Sequence, residues 1–453
     1  MTVLGSVFLL VGVLLLIKRP VWFPYLLAAA AAIPHTAAAV VGGSGVNIFY
    51  MLAILALGRL VYLVLRGGKS FSIFGRPVSR LALLLLGVFL VYGAAISVLG
   101  PILFRGIEVF SPRDGLDQQV NNLNELSFSV SNVAQPVYVL LGCVVVLYLG
   151  VERKVSPRIF DVTMWIGLGL ALARTVAPSL WPTVLFENDP NVSYSVTQAG
   201  LRGTFGEPSL FGLFLSVCMA YALTNVFLSQ GRRRLLMIGA LVLIVGELLL
   251  NLAWTALVVV PVILAVAVVV GFWILTRGRI RVRWIAASTV GAVLLVAAIN
   301  FQFLLGLVFG LLDEKLSSLS FANRTASNEA AWSLFVDTWG IGVGLGSNRP
   351  SSLLFLLLSC VGIVGLVCFV GVVVLVARSA LKVPSALPAA AALSACVLAQ
   401  FISAPELSMP LFWLLLGLVF WKRPREIQSE SPERHTSLHR ADDQTTDLAA
   451  TGA

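Results

Sequence analysis

The sequence predicts an all-α fold, a polytopic integral membrane helical bundle with about 12 to 13 transmembrane helices. Hydrophobic residues make up 58% of the 453-residue chain and charged residues only 11%, whereas a soluble domain carries about 25% charge. Apolar runs of about 20 residues, long enough to cross a hydrocarbon core of ~30 Å, recur along the chain. The runs are continuous rather than alternating, which favours helices over a β-barrel.

Apolar segments follow one another with short polar connections, and each is a candidate span. The first has no basic residue before it and is followed by Lys18-Arg19, so we expect a retained span rather than a signal peptide. In order, the predicted spans are 3–17, 20–41, 46–66, 80–100, 132–150, 159–178, 209–228, 235–252, 255–275, 284–310, 352–377, 386–404 and 409–421.

Basic residues cluster in alternate connections, and this pattern predicts the orientation. The formal net charge of +10 is better explained by the positive-inside rule than by binding of nucleic acid. We predict a multi-pass protein of the inner (cytoplasmic) membrane with its C-terminus in the cytoplasm. The clusters expected on that side are Lys18-Arg19, Arg66 to Arg80, Arg153 to Arg158, Arg232 to Arg234, Arg277 to Arg283, Arg378 to Lys382 and Lys422 to Arg425.

The chain divides into a transmembrane bundle, residues 1–424, and a polar tail, residues 425–453, which we expect to be disordered and cytoplasmic. Three outer loops, expected to contain helices, fall at about 101–131, 179–208 and 311–351. The five cysteines all lie within apolar runs, which indicates small buried side chains rather than a disulfide framework.

The segment Leu201-Arg-Gly-Thr-Phe-Gly-Glu-Pro-Ser209 stands where an outer loop enters a span. Arg202 offers a planar fork suited to phosphate oxygens, and the glycines permit close approach of a ligand. Glu207 precedes Pro208, a residue well placed to open a helix, and its carboxylate could accept a proton from a hydroxyl. The alternative interpretation is an Arg–Glu pair that holds the loop at the interface.

A second polar segment, Phe321 to Trp332, has the composition of a helix near the membrane surface. Arg324, Asn328 and Trp332 recur every four residues, so they share one face, with Glu329 beside them. The alternative is an amphipathic interfacial helix without a ligand.

A glycine run, Gly340-Ile-Gly-Val-Gly-Leu-Gly-Ser-Asn-Arg349, follows that segment. It comes after a helix rather than a strand, which argues against a dinucleotide fingerprint. We expect Gly344 and Gly346 to let the backbone pass close to a bound head group, with Arg349 nearby. A flexible turn is the alternative.

Four polar residues inside or at the ends of predicted spans are candidates for a polar cavity, because such groups are costly in lipid. They are Arg59, Arg174, Glu247 and Asn251. Arg59 has a potential partner in Glu247, whereas span-end residues can reach the interface. His35 stands alone in an outer turn, where a histidine is more often structural than functional.

Several of these residues together resemble the bacterial O-antigen polymerase and ligase superfamily. Arg202-Gly-Thr-Phe-Gly-Glu-Pro-Ser209 before an apolar span is similar to that family, and so is the order of the later motifs over about residues 160–420. Those later motifs are Asn323-Arg324, Trp332, Gly342-Val-Gly-Leu-Gly346 and Gly362-Ile-Val-Gly365.

The resemblance implies a membrane glycosyltransferase with a GT-C-like bundle, acting outside the cytoplasmic membrane. Its donor would be a glycan on undecaprenyl diphosphate, used without metal or other cofactor. The diphosphate would be bound by Arg202 and Arg324, with Arg349 a weaker third, and Glu207 would be the base. Asn328, Glu329, Trp332, Gly344 and Gly346 are the other candidate substrate-binding residues. A polysaccharide flippase and a chain-length regulator would be protein partners, and membrane lipid would surround the bundle.

The ligase branch of that family carries a histidine just after the glycine-rich turn. Here the corresponding residues are Ser347-Asn-Arg-Pro-Ser-Ser352, which favours a polymerase of repeat units for O-antigen, capsule or exopolysaccharide. The alternatives are a ligase onto a lipid or cell-wall acceptor, a transporter or flippase of lipid-linked sugars, and a membrane scaffold. A transporter would place charges along a central pathway, whereas these motifs cluster in the outer loops.

Overall fold

The structure is a computed structural model, and it describes residues 1–67, 77–110, 123–151, 156–190, 192, 194, 201–251, 255, 258–264 and 319–421. The polar tail and most of the predicted spans 255–275 and 284–310 lie outside these residues. Parts of the three predicted outer loops also lie outside them.

The described chain is mostly helical. Side-chain caps and prolines mark several helix starts. Thr2, Ser79 and Ser352 accept from backbone N–H groups of the first turn, and four helices begin at or next to proline. The helices are α1 (Val3–Lys18), α2 (Phe23–Ala31), α3 (Ile48–Gly67), α4 (Arg80–Leu103), α5 (Ser131–Val151), α6 (Phe160–Val176), α7 (Thr183–Phe186), α8 (Pro208–Leu228), α9 (Gly231–Asn251), α10 (Leu319–Asp337), α11 (Leu353–Ala380), α12 (Leu387–Ser403) and α13 (Pro410–Phe420).

Seven of the described helices are long and apolar enough to cross a membrane. They comprise α3, α4, α5, α6 with its preceding 3-10 turn, α8, α9 and α11. Four shorter apolar helices, Val3–Lys18, Pro20–Ala31, Leu387–Ser403 and Pro410–Phe420, coincide with other predicted spans. The prediction of a helical membrane bundle is therefore confirmed at this level.

The predicted span 20–41 is wrong in its second half. The helix ends at Ala31, and β1 (Ala37–Val41) pairs antiparallel with β2 (Ser44–Asn47). Gly42 and Gly43, with φ of 58° and 83°, form the turn that a glycine pair favours between two strands. Pro34, which cannot donate to a helix ladder, stands between the two elements.

The predicted outer loops differ in structure. In the loop 101–131, β3 (Glu108–Phe110) pairs with β4 (Leu123–Glu125), so the described part contains a short sheet where we expected a helix. The loop 179–208 contains the four-residue helix α7. The loop 311–351 contains α10, a helix of 19 residues, as predicted.

Helix α11, of 28 residues, is broken at Gly362, about a third of the way along it. Gly362 has φ 61° and ψ −163°, outside the helical region. The glycine run lies in the break: Val343 N donates to Ser359 O (2.9 Å) and Ile363 N donates to Gly340 O (2.9 Å). The backbone groups freed by the break are thus paired with protein, as buried irregular backbone requires.

Helix ends that carry predicted cytoplasmic clusters meet at one end of the bundle. The indole of Trp421, just after α13, donates to Val146 O in α5 (2.6 Å). Tyr148 donates to Pro20 O, next to the end of α1 (3.3 Å). The candidate functional residues lie at the other end of the bundle.

Candidate functional site

Five side chains from five separate segments converge at the end of the bundle opposite the basic residues that the structure describes, such as Arg233 near the start of α9. We call them the candidate site. They are His35 after α2, Glu207 before α8, Arg324 in α10, Arg349 before α11 and Glu406 before α13. The charges of Glu207, Arg349 and Glu406 all act on His35, and that of Glu207 acts on Arg324. Residues far apart in sequence thus form one polar group.

The loop 201–208 is fixed from two sides. Thr204 donates to Ala32 O at the end of α2 (2.7 Å). The Asn251 side chain at the end of α9 donates to Leu201 O (2.5 Å) and Pro208 O (2.9 Å). Gly203 has φ 52°, a conformation that glycine adopts without cost. Asn251, expected in a polar cavity, therefore anchors this loop.

Arg202 is almost fully buried, and its partner is Glu187 rather than Glu207. One carboxylate oxygen of Glu187 binds Arg202 Nη2 (2.8 Å) and the other binds Arg174 Nη2 (2.8 Å). The Arg202 guanidinium also stacks on the Tyr194 ring, 5.4 Å from its centroid. A role for Arg202 in binding diphosphate stays a prediction, since its guanidinium already has a carboxylate partner.

Arg174 belongs to the same network. Its Nη1 donates to Gly203 O (2.6 Å), and its guanidinium lies 5.2 Å from the Trp181 ring centroid. Arg174 thus holds the loop 201–208 rather than lining a cavity in the membrane.

Glu207 occupies the N-cap position of α8 and is half-buried. Ser209 Oγ donates to Glu207 Oε2 (3.1 Å), and no described Lys or Arg lies within salt-bridge distance of this carboxylate. Pro208 begins the helix directly after it, as the sequence predicted. The second carboxylate oxygen of Glu207 is therefore open to a further partner.

Arg324 projects from α10 toward α12, where its guanidinium donates to Ser403 Oγ. Within the described chain it forms no salt bridge. Burial lowers the pKa of the Arg324 guanidinium, and the nearby Glu207 carboxylate opposes that change. The side chain is therefore a charged donor without a carboxylate bound to it, at the edge of the candidate site.

Arg349 is more exposed than Arg324. Its Nη2 lies 3.6 Å from Glu406 Oε1, and the two side chains are 53% and 26% exposed, so this is a weak pair. Arg349 N donates to Phe110 O (2.8 Å), and Asn348 Oδ1 accepts from Phe110 N (3.0 Å). Strand β3 thus holds the backbone of Arg349 in place.

The glycine run packs against protein. A Cβ on Gly344 would lie 2.6 Å from Ser97 Cα in α4, and a Cβ on Gly346 would overlap Ser131 at the start of α5. Both glycines have positive φ, 95° and 84°. The close approach that they permit is to these two helices, and contact of Gly344 and Gly346 with a head group stays a prediction.

The predicted face of α10, with Arg324, Asn328 and Trp332, partly packs against the rest of the protein and partly borders an open groove. Asn328 Oδ1 accepts from Ser351 N (3.1 Å), which joins α10 to the loop before α11. Trp332 is 51% exposed, and Glu329 is also exposed. A groove of about 760 Å³ between α10 and the start of α11 is lined by Thr325, Asn328, Glu329, Trp332, Ser333, Leu354, Phe355 and Leu358.

Sequence reasoning missed Glu187, Ser403 and Glu406, and it gave His35 little weight. The only signal for Glu406 was a single acidic residue, Pro405-Glu406, in a short connection between two apolar runs. A single acidic residue in a short connection can be recognised as part of a site only when the fold shows which residues lie beside it. The suggested pair of Arg59 with Glu247 is not formed: Arg59 lies over the Tyr62 ring of its own helix, 5.4 Å from the centroid.

Buried Glu247 has no hydrogen-bond partner among the described residues. Within that same part of the chain, no cluster of three or more His, Cys, Asp or Glu could hold a metal ion. All five cysteines are buried and unpaired by disulfides.

Fold and site together define a mostly helical, membrane-embedded protein with a polar site at one end of its bundle. No protein-family model matches the chain, and no curated protein matches its sequence.

Proposed function

We propose that this protein polymerises oligosaccharide repeat units carried on undecaprenyl diphosphate, at the outer face of the cytoplasmic membrane. The observation that carries the proposal is Arg324, a half-buried guanidinium with no described carboxylate bound to it, placed near Glu207. A cation beside a carboxylate that is free to accept a proton is what transfer from a diphosphate leaving group needs.

The reaction requires one bond to form and one to break. A sugar hydroxyl oxygen of the acceptor attacks the anomeric carbon of the donor, while the bond from that carbon to the diphosphate oxygen breaks. The diphosphate leaves with the electron pair, and Glu207 takes the hydroxyl proton. Charge grows on the leaving diphosphate, so Arg324, with Arg349 as a more exposed second donor, stabilises the transition state more than the ground state.

Arg349 can change partner in this scheme. Its pair with Glu406 at 3.6 Å is long and exposed, so a diphosphate, which accepts two parallel hydrogen bonds from guanidinium, would compete well for it. Arg202 is held by Glu187, and we assign it the support of the loop that carries Glu207.

The groove beside α10 suits a glycan that ends in a lipid. Asn328 and Glu329 offer hydrogen-bonding groups, and Trp332 offers an exposed aromatic face. The opposite wall contains Leu354, Phe355 and Leu358 from the apolar helix α11. Sugar on the polar wall and prenyl carbons toward α11 would match both surfaces.

The site lies at the end of the bundle away from the basic clusters. By the positive-inside rule we place it outside the cytoplasmic membrane and the C-terminus in the cytoplasm. A flippase that delivers lipid-linked units to this face and a chain-length regulator would act with the protein.

Purified protein in lipid nanodiscs, given a lipid-linked repeat unit, tests the proposal. We expect Arg324→Ala to lower the rate of chain growth by about 100-fold or more, with Arg324→Lys intermediate because lysine cannot bind two oxygens in a fork. Glu207→Gln should lower the rate while donor binding is kept. Arg105→Ala, which removes an exposed arginine from another outer segment, is the matched control and should change the rate less than twofold.

Product length separates the alternatives. Long polymers indicate a polymerase, a single transfer onto an added lipid acceptor indicates a ligase, and movement of donor across a vesicle without transfer indicates a transporter. Equal chain growth in wild type, Arg324→Ala and Glu207→Gln would remove the proposed chemistry.

A further inference from the structure

His35 holds the segment that precedes Glu207. Its Nδ1 accepts a hydrogen bond from Gly206 N (3.1 Å), and its ring meets Phe205 edge-on, 5.9 Å between centroids. A backbone N–H can donate only to an unprotonated nitrogen, so this contact requires a neutral ring with its proton on Nε2.

The turn that carries His35 is itself fixed. Tyr194 donates its phenol proton to His35 O (2.5 Å) and accepts from Asp189 N (3.0 Å). The next residue, Thr36, donates to Phe186 O (3.2 Å). The imidazole is therefore attached to a rigid backbone, and any change in its bond to Gly206 acts on the loop 201–208.

Charged groups from four described segments act on this ring. Glu207, Asp189 and Glu406 favour its protonation, and Arg349 opposes it. Burial is the largest effect, and it lowers the pKa of His35 below the ordinary value of 6.5. At neutral pH the ring is neutral, as the bond from Gly206 requires.

We propose that His35 is a positioning residue: in its neutral form it holds Gly206 so that Glu207 faces the acceptor hydroxyl, and its protonation breaks this bond to Gly206. The inference rests on the proposed transfer for its catalytic part, whereas the contact between His35 and Gly206 can be tested without any transfer. When the ring takes a proton on Nδ1, two N–H groups face each other and the bond is lost.

The direction of the pH effect follows from linkage. Well above pH 6.5 the ring is neutral in both folded and unfolded chains, so the bond contributes fully. Below about 6.5 the unfolded chain binds a proton more readily than the folded one. Stability contributed by His35 is thus lost as the pH falls, and transfer falls with it.

Two substitutions of similar size separate the roles of the two ring nitrogens. His35→Asn places its carbonyl oxygen near the position of Nδ1, so it can accept from Gly206 but cannot titrate. His35→Gln extends its amide toward the position of Nε2 and leaves Gly206 N without that acceptor. His35→Ala removes both groups.

Thermal unfolding in detergent is measured first, between pH 5.5 and 7.5, and needs no substrate. We expect the midpoint of wild type to fall on acidification more than that of His35→Asn, and the two to be similar at pH 7.5. Identical pH dependence in wild type and His35→Asn would overturn the proposal.

Transfer is then measured over the same range. His35→Asn should stay within about threefold of wild type at pH 7.5 and lose part of the fall toward pH 5.5, while His35→Gln and His35→Ala should lose about tenfold. His35→Asn changes only this one residue of the site and cannot titrate, so the difference between the two profiles belongs to His35. Equal rates in His35→Asn and His35→Gln would also overturn the proposal. Loss of transfer in every protein, with the unfolding difference intact, would instead reject the proposed function.

Discussion

Arginines in the candidate region differ in their partners, and the partners decide what each side chain can do. Arg202 and Arg174 share the carboxylate of Glu187, whereas Arg324 has a serine hydroxyl. All three look alike in sequence as outer-loop or span-end arginines. Only the spatial arrangement distinguishes the two guanidinium groups that share a carboxylate and support the loop from the one that has no described carboxylate partner.

Glu187→Gln tests the supporting role. The change leaves the buried guanidinium of Arg202 and the partly buried one of Arg174 side by side without the negative charge between them. We expect it to destabilise the protein by about 3 kcal/mol. A lowered midpoint of thermal unfolding in detergent would register the loss.

Glu108→Gln removes an exposed carboxylate from β3 and is the control, with an expected change within about 0.5 kcal/mol. If both variants unfold at the same temperature as wild type, the charge of Glu187 does not support the loop.

At the scale of elements, the glycine run and the broken helix α11 depend on each other. Gly344 N donates to Cys360 O (2.8 Å) just before the break at Gly362. The run passes between α4, α5 and α11 at distances that no larger residue tolerates. The glycine pattern in the sequence reflects close packing of backbone against backbone. This packing places Arg349 beside Glu406.

Gly344→Ala tests this packing. Its φ of 95° is strained for alanine, and the new Cβ would lie 2.6 Å from Ser97 Cα. Gly106 has a similar φ of 87° but open space around it, so Gly106→Ala carries the backbone strain alone. We expect Gly344→Ala to be less stable than Gly106→Ala by about 2 kcal/mol. Equal unfolding midpoints for the two variants would contradict the packing argument.

Element boundaries were predicted well where apolar length decided them and poorly where turn residues did. The predicted spans 80–100 and 132–150 match α4 and α5 closely. The span 20–41 failed because its residues remain apolar past Ala31 while Pro34, Gly42 and Gly43 end the helix and form a hairpin. Hydropathy measures the length of an apolar run, but it does not show where backbone geometry changes within it.

At the scale of the whole molecule, the bundle has two ends, and helix α9 runs from one to the other. Asn251 at the end of α9 binds the loop 201–208, so Arg232 at its start lies about 30 Å away. Near that start, Arg233 pairs with Asp161 (2.9 Å) at the beginning of α6. The basic residues described at the start of α9 and the candidate site therefore occupy opposite ends, which is the separation that the positive-inside rule uses.

Single-cysteine labelling tests the orientation. Val130 is 83% exposed and lies just before α5, at the end that holds the glycine run. We expect a membrane-impermeant maleimide to label Val130→Cys in intact cells and Arg232→Cys only after the membrane is opened. The five native cysteines are buried, so wild type should give little background. Labelling of Arg232→Cys in intact cells, with Val130→Cys protected, would invert the orientation and place the site in the cytoplasm.

The sequence by itself determined the helical membrane class and most span positions, because apolar length and charge content are properties of continuous segments. It also singled out the loop 201–208 and Arg324, because a charged side chain close to lipid costs free energy unless it has a partner or a ligand. Only the tertiary structure decided which charges are neutralised and which are not. The pairing of Arg202 with Glu187 joins two parts of one loop. The bond from Gly206 to His35 and the approach of Glu406 to Arg349 join residues from separate segments. Such contacts depend on how helices pack, and packing has no signature within any single segment.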